Sequence, residues 1–187
     1  MGQHTEKEFI RQIIDGDTAL FSVFVEKYAG KIFGMIHKIV QSKSESEDLT
    51  QEVFIKAFNN LKKYQGKSQF STWLYSIAYN TAISATRKKK TIAPVISDSV
   101  LNAISDDKVD DLLDREDDEA LLEELEKAIQ QLNPEEKTLI TLFYYSDKQV
   151  QEISEIMNIS LSNVKTKLFR VRRKLFTLIK LNDDEDR

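Results

Sequence analysis

The chain has 187 residues, 41% of them hydrophobic, with 27 Lys and Arg against 31 Asp and Glu and a formal net charge of -4. It contains no cysteine, and its two histidines, His4 and His37, are far apart in sequence, which excludes disulfides and thiolate metal sites and leaves zinc without a ligand set. No apolar run approaches the roughly 20 residues of a membrane span, and the opening MGQHTEKEF has polar residues where a signal peptide has its apolar core, so a soluble, cytoplasmic protein of one or two small domains is expected.

Few glycines and prolines and apolar residues at helical spacing predict an all-α fold. Phe21, Phe24, Val25 and Tyr28 fall on one helix face, which Ile32, Phe33, Ile36, Ile39 and Val40 continue. A second helix is expected after Ser44, read with Glu47 as a capping box, with Leu49, Val53, Ala57 and Leu61 as its stripe and an end near Tyr64-Gln65-Gly66. The third is expected to start at Ser71 or Thr72 and to turn Leu74, Ile77, Ala78 and Ile83 inward. Residues 1–90 then form a first domain.

Residues 91–118 read as an acidic flexible linker with a short helix near Val109 to Leu113. From Ser97 to Glu126 thirteen carboxylates face only Lys108 and Arg115, so the rest of the chain is net basic. The linker is either a tether extended by its own repulsion or a nucleic-acid mimic that masks basic surface. A second helical domain, 119–187, opens with the stripe Leu121, Leu122, Leu125, Ala128, Ile129 and Leu132. Asn133-Pro134-Glu135-Glu136 signals the next helix start, with Asn as cap and Pro at the first helical position. Val150 to Met157 is expected to be helical, Asn158 to occupy a left-handed turn, and a basic helix to follow Ser160.

That spacing describes a helix-turn-helix with Ile153, Met157, Ile159, Val164 and Leu168 inside. Ser162, Asn163, Lys165, Thr166, Lys167, Phe169, Arg170 and Arg173 then face outward, and Ser160 to Leu175 holds no acid. A merely solvated face usually mixes signs; Lys and Arg suit phosphates and guanine edges, and Asn and Thr can read bases or anchor the backbone. A solvated basic face on a helical hairpin is the alternative. In the first domain, KKYQGKSQFSTW offers Lys63 and Lys67 for phosphate, Tyr64 and Phe70 for stacking, and Gly66 for close backbone approach, as single-stranded DNA requires. Trp73, beside Leu74 and Ile77, reads as core, and Phe54 and Phe58 as packing residues.

EDLTQEVFIKAF, FSTWLYSIAYNTAISATRKKK and LNPEEKTLITLFYYSDKQVQEISEIMNISLSNVKTKLFRVRRKL, in that order, resemble the extracytoplasmic-function (group four) sigma factors of bacterial RNA polymerase, over Phe9 to about Ile179. The resemblance implies a sigma-2-like domain that binds core polymerase and captures a single-stranded −10 element, and a sigma-4-like domain that reads a duplex −35 element. It implies polymerase contacts at Asp48, Gln51 and Glu52, which are otherwise ordinary helix-surface groups. It also makes Tyr64 to Ser71 the −10 specificity loop, including Ser71, and carries over Asn80 and Arg87 as base and phosphate contacts. An anti-sigma partner follows from family habit. No cofactor or enzymatic activity is implied, and no nucleophile elbow, phosphate loop or metal cluster appears. Two departures are visible: Ser146 to Gln149 lacks the family's frequent glycine, and Ser162-Asn163 replaces a Gly-Thr pair. The rival reading is a stand-alone duplex-binding regulator, which leaves EDLTQEVF and the aromatic basic loop without a role.

Overall fold

The fold was analysed in a computed structural model, which describes residues 3–87, 93–94, 96–105, 109 and 119–185. Every regular element among them is helical: α1 (Gln3–Ile14), α2 (Phe21–Val40), α3 (Lys43–Asn60), α4 (Phe70–Thr86), α5 (Asp98–Asn102), α6 (Glu119–Gln130), α7 (Pro134–Ile140), α8 (Val150–Met157) and α9 (Leu161–Glu185). A 3-10 turn (Leu61–Lys63) follows α3, and a π-helical turn (Thr141–Tyr145) extends α7.

Helices α2, α3 and α4 pack on one another because each carries an apolar stripe at helical spacing. Phe24, Ile32, Met35 and Ile36 from α2 meet Val53 and Ala57 from α3 and Leu74, Ala78 and Ala82 from α4, all essentially inaccessible to solvent. Burying such side chains stabilises by about 1.5–3 kcal/mol each for the larger ones. The second helical group forms around Leu132, Leu139, Ile140, Leu142, Ile153, Ile156, Val164 and Val171. The two groups are not separated by solvent: α4 lies against α8 and α2 against α7, and a single apolar cluster runs through both. The linker contributes too, since Leu101 of α5 is buried against α9.

Local signals were partly misplaced. The cap of α3 is Ser42 rather than Ser44: Ser42 has extended backbone (φ -129°, ψ 119°), and its hydroxyl accepts from the Glu45 N–H, while Ser44 already lies in the first turn. α4 starts at Phe70, after an extended Gln69, so the expected caps Ser71 and Thr72 are instead buried inside its first turn. Starting early is what lets Phe70 enter the core. The Asn133 cap is as expected: its Oδ1 accepts from Glu136 N–H at 2.9 Å, and the Glu136 carboxylate accepts from Asn133 N–H at 3.0 Å. Of the expected α6 stripe, Leu122 is 50% exposed because the helix turns Leu121, Leu125 and Ala128 inward instead. Phe33 is only half-buried, stacked on His37, and Phe58 is 39% exposed although its ring edges onto Phe21 at 5.1 Å. The short helix expected near Val109 to Leu113 lies, apart from buried Val109, outside the described residues. One buried charge has no obvious sequence signal: Lys137 on α7 is 3% exposed, and burial pushes its ammonium pKa down.

Candidate nucleic-acid and polymerase interfaces

Helix α8 ends at Met157 because Asn158 takes the left-handed conformation (φ 53°, ψ 48°), its N–H donating to Ser154 O. The Ser154 hydroxyl donates to Ile159 O at 2.6 Å, and the Ser160 hydroxyl accepts from Asn163 N–H at 3.2 Å, capping α9. The three-residue turn is thereby closed by its own polar groups. Ile153, Met157, Val164 and Leu168 face the core, which turns Ser162, Asn163, Lys165, Thr166, Phe169 and Arg170 to solvent.

Three further basic residues of α9 make contacts within the protein. Lys167 is half-buried, 3.4 Å from Glu135. Arg173 donates to Leu101 O at 3.0 Å, and its guanidinium lies 4.0 Å from the centroid of the Phe169 ring. Lys174 is buried and pairs with Glu136 at 2.9 Å. The outward basic face is therefore the first half of the helix, whose own residues include no acid.

After the 3-10 turn the loop from Tyr64 to Gln69 folds over the end of α4. Gly66 has φ 66°, a conformation that favours glycine, and the Tyr64 hydroxyl donates to Ser68 O at 2.7 Å. Lys63 and Lys67 are exposed, and Tyr64 is half-buried beside Trp73 at 5.3 Å. Phe70, expected as a stacking surface, is a core residue instead: it is 2% exposed and lies 4.4 Å from Phe24, ring to ring. Ser71 is buried as well. Trp73 packs against Phe70 at 5.6 Å, as a core-edge residue. Asn80 is exposed, its amide donating to Ser76 O at 2.8 Å, and Arg87 is exposed at the end of α4.

A cavity of about 330 Å³ opens beside this loop, with Tyr64, Gly66 and Lys67 on one wall and Glu152 and Glu155 of α8 on the other. Glu152 accepts from Lys148 Nζ at 2.7 Å, from Gln149 N–H at 3.1 Å and from the Thr72 hydroxyl at 3.3 Å. Burial alone would raise its carboxyl pKa, but these donors, Lys148 first among them, hold it below the ordinary carboxylate value.

On α3 a separate exposed face carries Asp48, Gln51 and Glu52. Glu52 pairs with Lys56 at 2.6 Å, and Lys56 also donates to Thr81. Ile55, 60% exposed and missed in sequence, continues this face, as does the exposed part of Phe58, which packs on Phe21 as expected. Ile55 had a legible signal, being apolar yet off the Leu49, Val53, Ala57 stripe.

Residues 24–92 match the model of Sigma-70 region 2, and residues 122–175 match that of Sigma-70, region 4. The chain is 35% identical over 177 residues to the ECF RNA polymerase sigma factor SigW of Bacillus subtilis, covering 90% of this chain and 94% of that protein. The chain belongs to the ECF sigma factors of the sigma-70 family. This sigma factor is also 30% identical over 180 residues to the ECF RNA polymerase sigma-E factor of Haemophilus influenzae (92% and 94% covered). In fold it resembles CnrH, solved in complex with the cytosolic domain of CnrY (TM-score 0.65, 16% identity, 92% and 96% covered). It also resembles the sigma factor RpoE of Bartonella quintana, solved in complex with the anti-sigma factor NepR (TM-score 0.62, 18% identity, 86% and 96% covered). Its function is accordingly to direct RNA polymerase to promoters at transcription initiation. Among the described residues no helix is long and apolar enough to cross a membrane.

Proposed function

We propose a residue-level division of labour for promoter recognition by this sigma factor. The first half of α9, with Ser162, Asn163, Lys165, Thr166 and Arg170 outermost, enters the major groove of the −35 element, and Lys167, Phe169 and Arg173 flank it. Lys63, Tyr64, Lys67, Asn80 and Arg87 hold the single-stranded −10 element, with Ser71 and Phe70 shaping the loop from beneath. Asp48, Gln51 and Glu52, extended by Ile55 and Phe58, dock on core polymerase. Residues 1–90 and 119–187 act as the two promoter-binding domains and 91–118 as their tether. The chain does no chemistry itself and works in the cytoplasm. An anti-sigma factor is its regulatory partner, in keeping with the complex in which the RpoE fold was solved.

The observation that carries this reading is the outward basic face at the start of α9, with Lys165 at its centre and no acid in the helix sequence there. Elements named −35 and −10 lie about 25 base pairs apart, roughly 85 Å of B-DNA at ~3.4 Å per pair. A 187-residue globule has a radius of gyration of roughly 16 Å. The packed arrangement therefore cannot span both elements, and α8, with Glu152 and Glu155 beside the −10 loop, has to leave before a phosphate chain can enter.

Reconstitution with core polymerase tests the assignment. Core plus this protein should start specific transcripts, and Tyr64→Ala should reduce permanganate-reactive thymines near the start site while closed complexes persist. A pre-melted bubble should restore activity to that variant. Tight, sequence-specific duplex binding without polymerase, and no transcript with it, would overturn the reading in favour of a stand-alone regulator.

A further inference from the structure

A second cleft, of about 570 Å³, lies along the seam next to the first and reaches Ser71, and its lysines have no role described so far. One wall is α2, contributing Lys27, Lys31 and Lys38; the other is the turn after α7, contributing Lys148. Asp147 is the only carboxylate among its described lining residues. The lysines differ in how far they are neutralised. Lys27 pairs with Glu6 at 2.5 Å and Lys148 with Glu152 at 2.7 Å, and both carboxylates belong to the neighbouring cavity. Lys38 rests its ammonium 3.7 Å from the centroid of Tyr145, a contact that leaves its charge in place, and Lys31 is exposed without a carboxylate within ion-pair distance among the described residues. The net field in the cleft is positive.

Three features of the backbone and side chains suggest a built site rather than a chance gap. Gly30 and Gly34 stand four residues apart in α2 and line the cleft, and a Cβ at either would meet nothing within 4 Å. Packing does not require them, and each costs the helix about 1 kcal/mol relative to alanine, so the bare backbone they leave calls for another reason, such as close approach of a ligand. Opposite them, α7 runs into the π-helical turn Thr141–Tyr145, closed by Lys148 N–H donating to Leu142 O at 2.9 Å, with Asp147 at φ 48°. Such turns occur frequently at functional sites. Thr141, 2% exposed, lies in the lining, and its hydroxyl has no hydrogen-bond partner, an orphan that a ligand or its water would satisfy.

We infer that this cleft binds a pyrophosphate-bearing small anion between Lys31 and Lys38 on α2 and Lys148 on the opposing turn. Ammonium groups on two walls suit a ligand with charge on two linked phosphates, and the volume admits a nucleoside diphosphate or larger. Since the walls come from both halves of the molecule, occupancy holds the halves together. The anion thereby favours the packed state over the separated one by its differential affinity for the two.

Full-length protein and inorganic pyrophosphate provide the test, at ionic strength matched with NaCl. Calorimetry should give a submillimolar Kd, at least tenfold tighter than for orthophosphate. The double variant Lys31→Ala, Lys38→Ala should lose at least tenfold in affinity, while Lys165→Ala, which weakens the nucleic-acid face, should retain it. Because the chain has no cysteine, dyes at Asn59→Cys and Gln151→Cys report the separation of the halves, and pyrophosphate should raise transfer efficiency. Binding lost in Lys165→Ala but kept in the double variant would overturn the proposal, as would heat released no differently from NaCl or transfer efficiency that falls. Tighter binding of a polyglutamate decapeptide, lost in the same double variant, would overturn it in favour of a polypeptide ligand. None of these outcomes depends on promoter recognition, so the two readings fail separately.

Discussion

Two neighbouring stretches of the basic run on α9 have opposite employment. Its first three turns contain no acid of their own and leave Lys165 and Arg170 exposed, whereas Arg173 and Lys174, one turn further on, are drawn inward. Lys174 neutralises Glu136, the residue that completes the cap of α7, and Arg173 fastens the linker through the Leu101 carbonyl. One basic run thus holds both the proposed recognition surface and a structural clamp. Where each cation falls relative to the core stripe, and not the charge itself, decides which it becomes.

The sharpest way to break this comparison is to truncate the clamp. Lys174→Ala leaves Glu136 partly buried without its cation and should lower the free energy of urea unfolding by roughly 3 kcal/mol, as removal of one partner of a buried pair does. An unchanged midpoint would remove the clamp. The corresponding change in the first half, Lys165→Ala, should leave stability within about 0.5 kcal/mol. It should weaken −35-dependent binding in the polymerase complex by about 1–3 kcal/mol where a base contact is lost. If the contact is to phosphate, the salt slope should instead fall by about one.

The seam offers a smaller, pH-dependent contrast. Glu152 has a folded pKa below the ordinary 4.5, so its stabilising contribution is complete above that value and is lost as pH falls through the lowered one. Glu152→Gln should abolish that acid-side dependence in unfolding measured from pH 6 to 3, with a loss at neutral pH of about 1 kcal/mol. Smallest is Lys137, a buried cation whose pKa is lowered from 10.5 by desolvation, in contrast to paired Lys174. The unfolded chain holds that proton better, so stability should rise as pH increases through the lowered value. Lys137→Met should remove the rise and gain about 1 kcal/mol at neutral pH, some 2–4 °C in Tm.

Much of this is legible in the sequence. Helical periodicity marks which face is buried, and it located α8 and its left-handed Asn158 because a three-residue turn between two short stripes admits few alternatives. Periodicity does not say what covers a face. Phe70 carries an aromatic ring suited equally to a base or a core, and only the early start of α4 consigned it to the core. The leucine stripe of α6 extends in sequence to Leu122, which is exposed, because leucine is tolerated on either side of a helix. The seam itself was not legible, since Thr72 and Glu152 are eighty residues apart and neither belongs to a local pattern. Nor was the lysine cleft, whose charges come from elements separated by more than a hundred residues.

The chain has one tryptophan, and Trp73 sits between Tyr64 and Phe70, half-buried at the rim of the loop proposed to hold the −10 element. Indole emission shifts with the polarity of its surroundings, so ultraviolet excitation near 295 nm interrogates this corner of the molecule and hardly any other. Departure of α8 should redden the spectrum, and a base arriving on Tyr64 should quench it. If the loop takes the −10 strand as proposed, the sigma factor carries its own optical reporter for that step, readable in a stopped-flow mixer without any label.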